Sequence, residues 1–203
     1  MARLIFRPLD SELILRELVT IGGVSVPLLS RGLTRQLILE TMCCDFIQQP
    51  AVFGPRKVSQ CFATTRTFPV GSALRSLPGL LAAELTALAG PLSHAMVHPL
   101  TFNRNNLQKY PASPCGIGRH RDFTSDINFS VIINLSGRRD FRLFRGTDDN
   151  EGIALDTTPG TAIFLRAMGF AGCASQHRPE HMVRKVPNHS LAFVLRHSTD
   201  PYH

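Results

Sequence analysis

The chain has 203 residues, 43% hydrophobic and 18% charged, so it is long enough for one sizeable core and is neither a disordered chain nor a coiled coil. No apolar run approaches the ~18 residues that cross a bilayer, and the cysteines show no paired spacing, so we expect a cytoplasmic protein without a membrane anchor. The net charge of +7 is compatible with a nucleic acid or a smaller anion as partner.

The first hundred residues favour helices and loops. Apolar residues recur at helical spacing after Ser30, a good N-cap, and predict a helix over residues 31–47. A second helix is expected over residues 79–89. The segment 50–71 is rich in Pro and Gly and predicts loops with short extended pieces. Residues 1–100 are therefore expected to form a helical and loop region.

From about residue 101 the pattern changes to β-strands. The apolar run at residues 131–133 has no polar alternation, which predicts a strand covered on both faces. Several short strands separated by Gly and Pro turns favour a sandwich or barrel with the helices packed outside. The sequence thus predicts one α+β domain over residues 1–203, mainly β in its core. The expected strands lie at residues 101–110, 128–135, 141–144, 161–165 and 190–195.

His120 and Asp122 form the most specific local motif. Residues two apart on an extended segment point to the same side, so the imidazole and the carboxylate can converge on one ion. Two histidines and one carboxylate on one face of Fe(II) leave three coordination positions open. The pair alone is a weak signal, and its context strengthens it. A polar strand at residues 106–110 precedes it, and the segment His181-Met182-Val183 leads into the last predicted strand.

This order of segments resembles the Fe(II)/2-oxoglutarate-dependent dioxygenases, with the AlkB-like branch most similar, over residues 101–197. The resemblance implies a double-stranded β-helix, a jelly-roll barrel whose mouth holds the iron. We expect residues 1–100, which lie outside the resemblance, to cover the active site. It also implies that His120, Asp122 and His181 are the iron ligands.

A neighbouring histidine leaves two alternatives open. His177 competes with His181 as the distal iron ligand. Cys173, His177 and His181 are also spaced four residues apart and could form a separate zinc site. Pro179 argues against the single helix that such a zinc site would need.

The resemblance further implies the residues that bind the cosubstrate, 2-oxoglutarate. Arg196 lies where many members of the family place the arginine that binds the distal carboxylate. Tyr110, and Gln108 where the branch usually has Asn, match groups that form hydrogen bonds to 2-oxoglutarate. Alternation along the last strand puts Ser190 on the same face as Arg196, so we expect Ser190 to line the same pocket.

The implied reaction is decarboxylation of 2-oxoglutarate to succinate and carbon dioxide, coupled to hydroxylation of a substrate C–H bond. Asn188 and Val194 stand where AlkB-like nucleic-acid enzymes have arginines, which favours a small-molecule substrate. Arg119 or Arg121 would then bind a substrate carboxylate.

Two other functions stay open. The net charge of +7 and the AlkB-like resemblance support an oxidative demethylase of alkylated DNA or RNA. The second is a non-catalytic binding module with the same barrel fold. The arginines within residues 138–145 are expected to form a solvated hairpin face, with a phosphate contact as the alternative. The sequence specifies no oligomeric state.

Overall fold

The computed structural model describes residues 6–88, 90–97, 99–146 and 148–200. None of the helices within these ranges is long and apolar enough to cross a membrane. The α-helices are α1 (Ser11–Thr20), α2 (Arg31–Thr41), α3 (Ala73–Ala87) and α4 (Pro91–Ala95). The strands are β1 (Gly23–Pro27), β2 (Ile47–Gln48), β3 (Val52–Phe53), β4 (Val58–Ser59), β5 (Ala63–Thr65), β6 (Arg104–Tyr110), β7 (Ile117–His120), β8 (Asp126–Ser136), β9 (Phe141–Phe144), β10 (Ile153–Leu155), β11 (Thr161–Arg166), β12 (Glu180–Val183) and β13 (Ser190–Ser198).

Helix α2 starts as predicted but ends earlier. The Ser30 hydroxyl accepts a hydrogen bond from the backbone N–H of Leu33, which confirms the N-cap. The helix ends at Thr41 rather than at residue 47. Ile47 instead pairs with Thr64 in a short antiparallel ladder, and its side chain is 72% exposed. Strand pairing with a segment distant in sequence therefore overrides the helical spacing.

Helix α3 begins at Ala73, six residues before the predicted start at residue 79. Ser72 caps it, and the Glu40 carboxylate accepts hydrogen bonds from the N–H groups of Ala73 and Leu74 at 3.0 and 2.9 Å. These contacts with a second helix supply acceptors that the local sequence does not reveal. The helix ends at Ala87, and residue 89 lies outside the described residues.

Two antiparallel sheets form the centre of the fold. The larger has the strand order β1-β11-β8-β13-β6-β5-β2, and the smaller has the order β10-β9-β12-β7. From β6 onward the chain passes back and forth between the sheets, with only β9 and β10 consecutive in the same one. This is jelly-roll connectivity, so the predicted double-stranded β-helix is confirmed. The N-terminal region also adds β1, β2 and β5 to the larger sheet, which the sequence did not predict.

Strand β8 is buried on both faces, as predicted. Ile132 packs in the core between the two sheets, together with Phe141 of the smaller sheet. Val131 and Ile133 point to the opposite face and pack in a second core with residues of the N-terminal helices. The helices therefore cover the outer face of the larger sheet and leave the space between the sheets for the site.

Gly137 lies in the turn that carries the chain from β8 in the larger sheet to β9 in the smaller one. Its φ is +66°, and a Cβ added there would overlap the carbonyl oxygen of His189. We expect Gly137→Ala to lower the free energy of unfolding by about 2 kcal/mol or more, measured by denaturant titration. Gly79→Ala is the control, because Gly79 lies within α3 and no atom is within 4 Å of an added Cβ. It should raise the stability by about 0.5–1 kcal/mol.

Candidate metal and cosubstrate site

His120, Asp122 and His181 come together at one end of the smaller sheet. His120 is the last residue of β7, and His181 lies directly opposite it on β12. The centroids of the two imidazole rings are 4.3 Å apart. Nε2 of His181 lies 4.0 Å from Oδ1 of Asp122, and one ligand atom from each of the three residues lies within 4.8 Å of the others.

Both histidines are held in the neutral form that a metal ion requires. The Nδ1–H of His120 donates to the carbonyl oxygen of Gly118 at 2.8 Å, which leaves Nε2 free as a ligand. Burial lowers the pKa of His120 below its ordinary value. Burial, reinforced by the nearby His120, lowers the pKa of His181 to about 3.

Asp122 is held as a carboxylate. Burial alone would raise its pKa, but the Arg196 guanidinium, together with His181, His120 and the Ser130 hydroxyl, outweighs this and holds the pKa well below its usual range. Nη2 of Arg196 lies 3.4 Å from Oδ1 of Asp122, and the Ser130 hydroxyl donates to Oδ2 at 3.1 Å. Arg178 also donates a hydrogen bond to the backbone carbonyl of Asp122. These contacts fix the side chain and its backbone.

The donor set fits a divalent metal ion. Two neutral imidazoles and one ionised carboxylate on one side of an ion form the facial arrangement that suits Fe(II). The Phe141 ring stacks on His181 at a centroid distance of 5.5 Å and an interplanar angle of 12°, which orients the imidazole. Within the described residues His177 and Cys173 belong to no such cluster, and His177 is exposed.

A cavity of about 810 Å³ opens beside these three residues. Its walls come from the core and from segment 49–66 of the N-terminal region. The hairpin β3–β4 forms part of its rim, where the Phe53 ring meets the Phe123 ring edge-on at 5.8 Å. Asp122 is the one carboxylate among the described lining residues, against six arginines: Arg56, Arg66, Arg104, Arg121, Arg178 and Arg196.

Two of the lining arginines form a charged layer with Asp126 behind the metal ligands. Nη2 of Arg104 lies 2.6 and 2.5 Å from the two carboxylate oxygens of Asp126, and Asp126 is 0% exposed. Arg196 also approaches Asp126, with Nε 3.6 Å from Oδ2, and its Nη1 donates to Oδ1 of Asn106 at 3.1 Å. Arg196 therefore faces two carboxylates of the protein itself.

The other predicted cosubstrate residues lie deeper between the sheets. Gln108 lines the cavity, and its Oε1 accepts a hydrogen bond of 2.7 Å from the Tyr110 hydroxyl. Tyr110 is paired with Ser190 in the ladder between β6 and β13. Both are buried, and neither lines the cavity.

The two arginines predicted to bind substrate occupy different environments. Arg121 lines the cavity, where its Nε donates to the carbonyl of Arg178 at 3.0 Å. Arg119 is not among the described lining residues, although both arginines pair with Glu180. Its Nε lies 2.7 Å from Oε2 of Glu180, and its guanidinium lies over the Phe144 ring at 4.0 Å.

The solvated hairpin face predicted for residues 138–145 is wrong for Arg139. Its residue is 5% exposed, and its guanidinium donates to the Ser190 hydroxyl at 3.0 Å and to Oδ1 of Asn134. A signal was present in the sequence, because Phe141 and Leu143 face the core and alternation puts residue 139 on the same side. The charge of the side chain pointed to the opposite conclusion.

The chain was compared with known proteins. No protein-family model matches it, and no curated protein matches it. Solved structures do share its fold. A prolyl hydroxylase from Trichoplax adhaerens, in complex with a hypoxia inducible factor peptide fragment, is 16% identical, with a TM-score of 0.68 over 93% of this chain and 88% of that chain.

Two further structures extend this result. A 2OG-Fe(II) oxygenase family oxidoreductase from Burkholderia pseudomallei is 16% identical, with a TM-score of 0.63 over 99% of this chain and 97% of that chain. The alpha-ketoglutarate-dependent epimerase SnoN from nogalamycin biosynthesis is 14% identical, with a TM-score of 0.59 over 91% and 81%. The fold of the chain is therefore the double-stranded β-helix found in 2-oxoglutarate- and Fe(II)-dependent oxygenases.

Proposed function

We propose that this protein is an Fe(II)- and 2-oxoglutarate-dependent oxygenase. The observation that carries the proposal is the convergence of His120, Asp122 and His181 beside a cavity at the mouth of the double-stranded β-helix. The fold supports it, because the structures that share it include 2OG-Fe(II) oxygenases. The Gln108 and Tyr110 pair on β6 is the feature that supports an AlkB-like member of this class.

In this proposal His120, Asp122 and His181 hold the iron, and Arg196, Gln108, Tyr110 and Ser190 bind the cosubstrate. When bound, Fe(II) and 2-oxoglutarate would activate molecular oxygen, the oxidant, with one oxygen atom entering succinate as carbon dioxide is released and the other entering the hydroxylated substrate. The carbonyl of Gly118 accepts the Nδ1–H of His120 and so leaves Nε2 free for the metal, and Arg196 keeps Asp122 ionised. The β3–β4 hairpin and Phe123 narrow the mouth of the cavity, which limits access of water to the reacting atoms.

The substrate proposed is a small anionic molecule that is hydroxylated at a C–H bond. Six arginines line the cavity, and Asp122, Asp126 and Glu180 pair with four of them: Arg56, Arg104, Arg121 and Arg196. The arginines still outnumber these carboxylates, and the remaining positive charge attracts carboxylates or phosphates. Arg121 is the predicted substrate arginine that reaches the cavity. Residues 1–203 are proposed to form one domain, since segment 49–66 and the core both line the cavity. The proposed location is the cytoplasm, as expected from the sequence.

Turnover of the cosubstrate tests this function. We expect the wild-type protein to convert 2-oxoglutarate to succinate in a reaction that requires Fe(II) and oxygen, measured by quantifying both acids. His181→Ala should reduce succinate to background because it removes a metal ligand. His177→Ala is the matched control and should retain full turnover, since His177 is exposed and outside the cluster. Turnover that persists in His181→Ala and is lost in His177→Ala would assign the distal ligand to His177.

A further inference from the structure

Arg139 is a buried cation that the proposed function does not yet use. It follows Gly137 in the turn between β8 and β9, and its side chain points into the space between the sheets. Its guanidinium lies 5.3 Å from the centroid of the Tyr110 ring and donates to the hydroxyl of Ser190 and to Oδ1 of Asn134. All of these groups are neutral.

A buried guanidinium without an anionic partner is costly. Among the residues that the structure describes, no carboxylate lies within 4.0 Å of the Arg139 guanidinium. Arg104 and Arg196, the other arginines buried near the site, both lie within ion-pairing distance of Asp126. Removing a cation from water is tolerated when an anion compensates it, so Arg139 has the character of a residue that receives its anion from a ligand.

The environment of Arg139 connects it to the cavity on two sides. On the larger sheet, Tyr110 separates it from Gln108, which lines the cavity and hydrogen-bonds to the Tyr110 hydroxyl at 2.7 Å. On the smaller sheet, Phe141 lies two residues beyond Arg139 on the same face and stacks on His181. Two residues along an extended chain advance about 7 Å, a distance comparable with the length of an extended five-carbon diacid.

The residues opposite this path are small. Ala192 pairs with Gln108, and Ser190 pairs with Tyr110, so β13 presents a methyl group and a hydroxymethyl group to the space between them. A side chain of arginine size at position 190 would occupy the place where the Arg139 guanidinium now donates to the Ser190 hydroxyl. The small side chains of β13 therefore leave room for the Arg139 guanidinium beside Ser190.

We propose that Arg139, with the hydroxyls of Tyr110 and Ser190, binds the distal carboxylate of 2-oxoglutarate. Arg196 then serves the metal end of the site, where it holds Asp122. The proposed function is thereby revised at one residue: Arg139, and not Arg196, binds the distal carboxylate. On binding, the hydrogen bond from Tyr110 to Gln108 is exchanged for one to the carboxylate. The inference rests on the proposed function.

Binding of two matched acids to the Mn(II)-loaded protein tests the inference without turnover. The probes are 2-oxoglutarate and 2-oxopentanoate, which has a methyl group in place of the distal carboxylate, and the measurement is isothermal titration calorimetry. We expect the wild-type protein to bind 2-oxoglutarate about a hundredfold more tightly, because only this acid supplies a partner for the buried guanidinium. Arg139→Met should weaken 2-oxoglutarate binding by about that factor and leave 2-oxopentanoate binding unchanged.

Controls separate this result from unfolding and from failure of the proposed function. Arg138→Met alters the exposed neighbouring arginine and should bind both acids as the wild type does. Arg139→Lys keeps the charge and should retain an intermediate preference for 2-oxoglutarate over 2-oxopentanoate. It replaces Arg139→Met in the test if that variant does not fold. Equal affinity of the wild type for the two acids, or an unchanged preference in Arg139→Met, overturns the role of Arg139 alone. Wild-type protein that binds Mn(II) but neither acid overturns the proposed function and this inference together.

Discussion

Asp122→Ala is expected to abolish iron-dependent turnover and to weaken divalent metal binding by more than about a hundredfold. Asp122 supplies the only carboxylate among the three candidate ligands, and without it the two neutral imidazoles hold a cation with no charge compensation. Mn(II) affinity, measured by calorimetry, and succinate formation should fall together.

Ser130→Ala gives a graded comparison at the same carboxylate. The Ser130 hydroxyl donates to Oδ2 of Asp122 at 3.1 Å, so its loss should loosen the ligand without removing it. We expect metal affinity to fall about tenfold, which is typical for a residue that orients a metal ligand. Wild-type metal affinity in Asp122→Ala, with the fold intact by circular dichroism, would place the metal elsewhere.

Arg104→Met is expected to destabilise the fold by about 3–5 kcal/mol, because it removes the closest partner of a buried carboxylate and leaves Asp126 with Arg196 alone, which Asp122 also shares. Asp126 is 0% exposed, and Arg104 is its close partner, with Arg196 at 3.6 Å. Burial and the nearby Asp122 raise the pKa of Asp126 to about 6. Urea denaturation at pH 8 therefore measures the effect with the carboxylate ionised.

A second variant separates the effect of the uncompensated Asp126 charge from the loss of Arg104 packing. Arg104→Met combined with Asp126→Asn removes both members of the ion pair and should recover most of the lost stability. The cost of Arg104→Met should also shrink as the pH falls from 8 towards 6, because loss of Arg104 raises the pKa of Asp126 further and the variant is protonated before the wild type. A cost that is independent of pH and unaffected by Asp126→Asn would mean that Arg104 stabilises the fold through packing.

The sequence predicts the parts of this protein that depend on local pattern. Short apolar runs separated by Gly/Pro turns were sufficient to predict the β core, and the uninterrupted run at residues 131–133 was sufficient to predict a strand covered on both faces. His120 and Asp122 could be predicted because residues two apart on an extended segment point to the same side. His181 could be predicted because the order of segments resembles that of the Fe(II)/2-oxoglutarate-dependent dioxygenases.

The remaining features depend on contacts between distant segments. The end of α2 is decided by the pairing of Ile47 with Thr64, and the start of α3 by a carboxylate from Glu40. Arg119 and Arg121 look equivalent in sequence and both pair with Glu180, but hydrogen bonds to the carbonyls of Gly146 and Asp149 hold Arg119 outside the cavity. Arg139 was misread because its charge indicated a solvated side chain, whereas its position between the sheets is stabilised in part by the Ser190 hydroxyl of β13, which is distant in sequence.

Metal-dependent binding of the cosubstrate is the most direct test of the central claim that the cavity is a ferrous 2-oxoglutarate site. Binding of 2-oxoglutarate is measured by calorimetry in the absence of oxygen, with and without one equivalent of Fe(II) per chain. The account predicts one 2-oxoglutarate per chain, bound at least about a hundredfold more tightly with Fe(II), and loss of this enhancement in His120→Ala. Binding that is equally tight without Fe(II), or an enhancement that survives in His120→Ala, would contradict it.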